Sequence, residues 1–337
     1  MKNKISFVIA AALTLSAGSV FAQSSTASLN TAANTSTSKM DDLKKPTEKL
    51  KDIDDEITDA RMRATLGSKS RFSFQSSLAY SGGSVQEPLG AVRPAYRTSA
   101  EDEVLADLSG QVGVNFRATE RDNISFGTGI TIIDPLHGDI TKPATDKTKY
   151  GNNETASRYK VATPYVGYSR GYKAFGAQMI SSATLSYYTA DATVKRGYLG
   201  GVSASQTVLA NLGSSKWNGG ASVSGSKALY SGTIENKAFQ KRLDAGTSFR
   251  DEWSIGLFPF LQYKFNDTYS FRTVFGYFQF QQQENKSSFE QIEPYQSVGL
   301  GLSITRDIYL YPNVQFTPKD IRDDRTNVAL SANINLF

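Results

Sequence analysis

The last eleven residues, 327–337, alternate with period two. Val328, Leu330, Ala332, Ile334 and Leu336 fall on one face, and Ser331, Asn333 and Asn335 on the other. Only an extended strand places every second side chain on the same side. The pattern recurs from residue 70 onward. In 71–80, Phe72, Phe74, Leu78 and Tyr80 oppose Arg71, Ser73, Gln75 and Ser77. In 107–117, Leu108, Val112, Val114 and Phe116 oppose Ser109, Gln111, Gly113, Asn115 and Arg117. In 123–132, Ile124, Phe126, Ile130 and Ile132 oppose Asn123, Ser125, Gly127, Gly129 and Thr131. Segments 175–188, 252–265, 269–281, 296–305 and 308–316 alternate likewise.

Strands with one apolar and one polar face suit a soluble sandwich or a barrel in a membrane. Segment 252–265 separates the two. Trp253, Ile255, Leu257, Leu261, Tyr263 and Phe265 share a face, and Glu252, Ser254, Gly256, Gln262 and Lys264 share the other. At ~3.3 Å per residue and a tilt of about 40°, the step from Trp253 to Tyr263 covers ~25 Å, the height of the apolar band between the aromatic girdles of an outer-membrane barrel. A sandwich has no reason to bracket an apolar stripe this way. Connections also differ in length: 118–122, 170–173, 266–268 and 306–307 read as short turns, whereas 81–104, 133–157 and 189–216 read as long loops. Short turns at one end and long loops at the other mark a barrel.

Eleven strands are legible, yet a single-chain barrel with both ends on one side needs an even number. Continuity of direction then reads 217–226 as descending and requires a further, ascending strand within 229–241, which makes twelve. The fold class is therefore all-β: a transmembrane antiparallel β-barrel of about 12 strands, ten and fourteen being the neighbouring counts, preceded by one short N-terminal α-helix. Pro164, Pro259 and Pro312 share a Pro-x-apolar-x-aromatic echo. Proline cannot donate to a ladder, so each predicts a bulge or a missing bond.

The N-terminal part divides in three. Residues 1–22 read as a secretory signal: Lys2 and Lys4, an apolar run at 7–15, and small residues at 20–22. Residues 23–38 are small and polar and read as a flexible linker. In 39–66, Leu43, Leu50, Ile53, Ile57, Ala60 and Ala64 form a heptad-like seam interrupted by Pro46. Acidic residues Glu48, Asp52, Asp54, Asp55 and Glu56 come early, Arg61 and Arg63 late, and Gly67 can stop the helix, an order that suits the helix dipole. Two readings stand: an amphipathic periplasmic helix lying on the barrel or in its mouth, or a coiled coil through which copies homo-oligomerise. The barrel is assigned to 67–337.

With no cysteine, the chain has no disulfides or thiolate chemistry. No run of ~18 apolar residues follows the signal, so no transmembrane helix is expected. The formal charge of +5 is small for 337 residues and gives no footing for nucleic acid. No phosphate-binding, dinucleotide or zinc motif is present, and no cofactor or metal site is expected. The single histidine, His137, lies between Asp134 and Asp139 just past a strand end. A hydrolase built on it would need a nucleophile or a water-activating pair nearby, and no serine stands at a telling offset. A loop histidine is the expectation, and no enzymatic activity is assigned.

The inward faces are small and polar, which at about twelve strands leaves room for a narrow aqueous lumen. The pore-lining candidates are Gln75, Gln111, Asn115 and Gln262, with four basic residues, Arg71, Arg117, Lys264 and Arg272, near the short-turn ends. Such a basic ring could favour anions. It could equally hold the acidic helix through Asp52, Asp54, Asp55 and Glu56.

On the signal at 1–22, the strands over 70–337 and the terminal Phe337, the chain resembles Gram-negative outer-membrane β-barrel proteins of the porin or channel type. In that family the last aromatic falls in phase with the apolar face; here Leu336 does, and Phe337 does not. The resemblance implies a cell outer-membrane location, contact with outer-membrane lipid, assembly by the barrel-assembly machinery through the strand ending at Phe337, and passive diffusion of small hydrophilic solutes. Readings as a structural or adhesive barrel acting through its surface loops, or as a hydrolase using His137, remain beside it.

Overall fold

The computed structural model describes residues 52–94, 103–139, 157–231, 233–246, 249–284 and 286–337. The signal, the linker and the first part of the helical segment, with Leu43 and Leu50, lie outside the described residues.

Twelve antiparallel strands among the described residues close into a barrel. They are β1 (Phe72–Ser84), β2 (Asp107–Arg117), β3 (Asp122–Ile133), β4 (Tyr159–Ala174), β5 (Ala177–Tyr187), β6 (Tyr198–Asn211), β7 (Trp217–Tyr230) and β8 (Asp251–Lys264). Then come β9 (Tyr269–Gly276, continuing as Phe278–Gln283), β10 (Tyr295–Ser303), β11 (Ile308–Phe316) and β12 (Asn327–Leu336). Each strand pairs with its neighbours in sequence, and β12 pairs with β1 from Phe74↔Leu336 to Ser84↔Asn327, which closes the ring. A ring has no unpaired edge, so the ladder runs around the whole wall and satisfies its backbone groups away from water except at local interruptions. No described helix is long and apolar enough to cross a membrane.

The count of twelve stands, but two of the strands lie elsewhere than the sequence suggests. Residues 198–211 are not loop: they form β6, which descends, so Trp217–Tyr230 ascends as β7. The segment after Tyr230 holds a helix, Lys237–Asp244, in place of the expected strand. The turn expected at 170–173 lies inside β4, and the chain reverses at Phe175–Gly176, with φ of 51° and 77°. Two consecutive positive φ values are what a two-residue type I′ hairpin requires.

The three prolines interrupt the ladders. Beside Pro164, Thr163 is extruded with φ 66° and the β3–β4 register shifts. Opposite Pro259, β9 breaks at Tyr277 and its pairing with β8 slips by one residue. Beside Pro312, the β10–β11 pairing skips from Gly299↔Asn313 to Leu302↔Leu310.

The outward face is apolar and bare around the wall. Phe74, Val114, Phe126, Val166, Leu185, Val202, Leu261, Leu300 and Leu330 are all exposed. A belt of that extent would not persist in water. Aromatics bracket it. At the short-turn end Trp217 and Tyr263 lie 5.0 Å apart, and Tyr263 and Phe265 5.2 Å. At the other end Lys227 sits 4.8 Å over the Trp253 ring. Phe337 projects past the end of β12 with φ 78°.

Candidate functional site

The lumen is not empty at its short-turn end. Two helical turns, α1 (Ile53–Glu56) and α2 (Ala60–Leu66), sit inside the mouth in place of one continuous helix. Asp59 caps α2 by accepting from the Met62 N–H at 2.9 Å. Ile53, Ile57, Met62 and Leu66 bury against Ile180, Leu209 and Phe260, which point inward from β5, β6 and β8. Ala64 packs with Tyr309 and Tyr311 of β11. The seam that a coiled coil would share between chains is thus, at Ile53 and Ile57, taken up by this chain's own wall.

Polar contacts fix the plug on several sides. Gln178 accepts from the Thr58 and Asp59 N–H groups at 2.8 and 2.9 Å, and Asn335 donates to the Ala64 carbonyl at 2.7 Å. These are orphan groups at helix ends that would otherwise lie unsatisfied. Gly67 (φ 91°) leads the chain out; a Cβ there would stand 2.3 Å from Asn115 Nδ2.

The acidic run finds cations, though not the expected ones. Arg306 donates to both Asp54 oxygens at 2.8 and 2.9 Å, a fork on a carboxylate. Arg121 donates to Glu56 at 2.5 Å, and Lys69 to Asp52 at 2.5 Å. Arg121 and Arg306 lie in the short turns after β2 and β10. Burial pushes the Asp54 carboxyl up, but the hydrogen bonds and charges of Arg306 and Lys69 outweigh it and hold the group below the ordinary carboxylate range.

The four predicted basic residues scatter. Arg71 precedes β1 and lies over the Phe116 ring at 5.5 Å, so it belongs to the outer rim and not the pore. Arg117 is buried beneath the plug, donating to the Ser68 carbonyl at 3.3 Å and to Glu120 at 2.8 Å. Lys264 opens to the short-turn mouth and pairs with Asp267 at 2.8 Å. Only Arg272 stands in mid-lumen, 3.9 Å over the Phe260 ring. Gln262 links it to the plug: Arg272 donates to Gln262 Oε1 at 3.2 Å, and Gln262 donates to Asp59 at 2.9 Å. Asn115 is buried and donates to Asn123 at 3.4 Å. Gln75 follows the inward phase of β1, opposite Gly113 and Asn335.

Two cavities flank the plug. The one toward the short turns is about 370 Å³ and is bordered by Asp59, Arg63, Gln178, Lys216, Gln262 and Lys264 among others. The one toward the long loops is about 630 Å³. Gln111, Ser109, Ser222, Ser297, Ser331 and Asn333 give it a hydroxyl and amide wall, and Phe258, Phe260, Tyr309 and Tyr311 an aromatic side. Its only charged lining residues among those described are Arg61, from the plug, and Arg272. Sequence reasoning missed Arg61, which read as a helix-end cation. It also passed over Phe258 and Phe260, although both keep step with Ser254, Gly256 and Gln262 on the inward face.

An apolar belt outside, aromatic girdles at both ends, a polar lumen inside and an even strand count describe one kind of molecule. The protein is an outer-membrane β-barrel. No family model matches the chain, and no curated protein does. Solved structures of similar shape are outer-membrane proteins at low identity. An outer-membrane channel from Pseudomonas putida F1 is 10% identical over 80% of this chain and 98% of its own, with a TM-score of 0.47. A KdgM porin in complex with disordered oligogalacturonate is 8% identical over 79% and 99%, with a TM-score of 0.40. Outer membrane phospholipase A from Escherichia coli is 11% identical over 82% and 96%, with a TM-score of 0.32.

His137 sits at the long-loop end. Its Nδ1 lies 2.8 Å from Asp134 Oδ1, and Arg158 donates to the His137 carbonyl at 2.5 Å. Arg158 also stands 3.7 Å from Asp134. These contacts tie the end of β3 to the start of β4. Among the described residues, no hydroxyl bonds to the imidazole.

Proposed function

We propose that the barrel is a passive channel for small hydrophilic solutes, that it prefers anions, and that residues 52–66 restrict its short-turn mouth. One observation carries the reading: a luminal cavity of about 630 Å³, walled by hydroxyls, amides and aromatic rings, whose only charged lining residues among those described are Arg61 and Arg272. A fixed positive potential in a narrow low-dielectric passage raises the local anion concentration. The plug is held by hydrogen bonds, ion pairs and two apolar clusters, a set of contacts that can release without breaking the strand ladder.

Planar-bilayer recording of the purified protein tests this. The full chain should conduct weakly, and a form lacking residues 23–66 several-fold more. Under a salt gradient the reversal potential should shift toward that of chloride. No conductance in either form would defeat the channel and leave a structural or adhesive barrel acting through its loops.

A further inference from the structure

We infer that Arg61 of the plug and Arg272 of β9 together form a binding site for a small oxyanion, a carboxylate or phosphate carried on a hydroxylated body, at the floor of the 630 Å³ cavity. The inference deepens the channel reading and rests on it for the solute's route, but not for the binding itself.

The argument starts from unpaired charge. Arg272 is 3% exposed, yet among the described residues its one side-chain hydrogen bond goes to a neutral amide, Gln262. Neither Arg272 nor Arg61 makes an ion pair among the described residues. A buried guanidinium normally acquires a carboxylate, because an unpaired buried charge is costly. Here Asp59 is engaged through Gln262, and the second arginine adds repulsion instead of relief. The cation–π contact with Phe260 offsets part of that cost and holds the guanidinium plane fixed.

A counter-charge from solution completes the arrangement. Guanidinium forks match the planar or tetrahedral oxygens of carboxylate and phosphate. The surrounding wall specifies the rest of the ligand: Ser297, Asn333 and Gln111 offer hydroxyl and amide partners, and Tyr311 an aromatic face. A bare halide would leave these groups idle. Because one arginine belongs to the plug and the other to the wall, a bound oxyanion bridges them and relieves their repulsion. Occupancy therefore holds the plug in place.

Isothermal titration on the full-length protein in detergent tests the site, with gluconate, inorganic phosphate, glucose and glucosamine as probes. Gluconate and phosphate should bind, and glucose and glucosamine should not. Gluconate binding tighter than phosphate would assign the hydroxylated body to the site; equal affinities would overturn that part. Arg272→Gln and Arg61→Gln should each weaken binding by about tenfold or more, the loss expected for one charge-assisted hydrogen bond. Arg61→Gln lies outside the strand ladder and reads the site even where the buried Arg272→Gln assembles poorly. Oxyanion affinity unchanged in Arg61→Gln, or no oxyanion binding to the unaltered protein, overturns the inference. Binding without bilayer conductance would instead overturn the channel and keep the site.

Discussion

At the scale of single residues, the plug hangs on a few charges, and Asp54 is the most exactly placed of them. The Arg306 fork and Lys69 hold its carboxyl low, against the opposing push of burial. Asp52 is also held low, by its hydrogen bond from Lys69. A carboxyl whose folded value is depressed contributes its full share above the unfolded value and loses it as pH falls through the folded one. Docking of the plug should therefore be level from pH 8 down to about 4 and weaken below that. Conductance of the full chain should rise only in that acid window, whereas Asp54→Asn should conduct more throughout and respond less to acid. A flat wild-type profile down to pH 3 would refute the clamp. The need of the acidic run for cations was legible in the sequence, but the identity of the cations was not. Strand alternation says which way Arg272 and Lys264 point. It is silent about Arg121 and Arg306, because turn residues have no alternating phase.

At the scale of elements, legibility followed the outward side chains. β8 was plain because large apolar residues occupy its lipid face. β6 and β7 were obscure because Gln206, Ala204, Gly219, Ala221 and Gly225 take the corresponding outward positions, opposite Ser203, Ser205, Ser222 and Ser224. With small or polar residues on both faces, the contrast that reveals a strand nearly vanishes, so 198–211 reads as loop and continuity of direction places the strands at 217–226 and 229–241. The N-terminal element was legible as an amphipathic helix but not as two turns. Asp59 breaks it by serving as a new N-cap, and Gln178, 119 residues away in sequence, takes up the N–H groups freed at the break. Ile57 is the apolar anchor of this element, with 0% exposure. Ile57→Ala should cost the docked plug about 2–5 kcal/mol, the range for truncating a large buried aliphatic side chain. The strand ladder does not depend on Ile57. Limited proteolysis should therefore cut the variant within residues 52–70 at protease levels that spare the wild type, while its barrel keeps the heat-modifiable gel migration of a folded form. Loss of both together would mean that plug and barrel fold as one unit.

At the scale of the whole molecule, one wall separates two solvents, and adjacent residues should answer the same substitution in opposite ways. Leu257 faces outward near the middle of β8, paired with Val223 and Phe278. Ser224, the register partner of the neighbouring Gly256, faces the lumen from β7. An arginine at the lipid midplane of such a barrel costs about 2–4 kcal/mol, whereas a lumen arginine remains in water and changes selectivity. Leu257→Arg should therefore lower the yield of folded barrel in refolding into lipid vesicles, read as the heat-modifiable fraction on a gel. Ser224→Arg should refold like the wild type. In the bilayer, Ser224→Arg should also move the reversal potential further toward chloride, since it adds a cation to those that Arg61 and Arg272 already place in the larger cavity. Equal refolding of the two variants would mean that the faces are not set against hydrocarbon and water. The inward hydroxyls and amides would then lose their meaning as a pore lining, and the two arginines their claim on a passing solute.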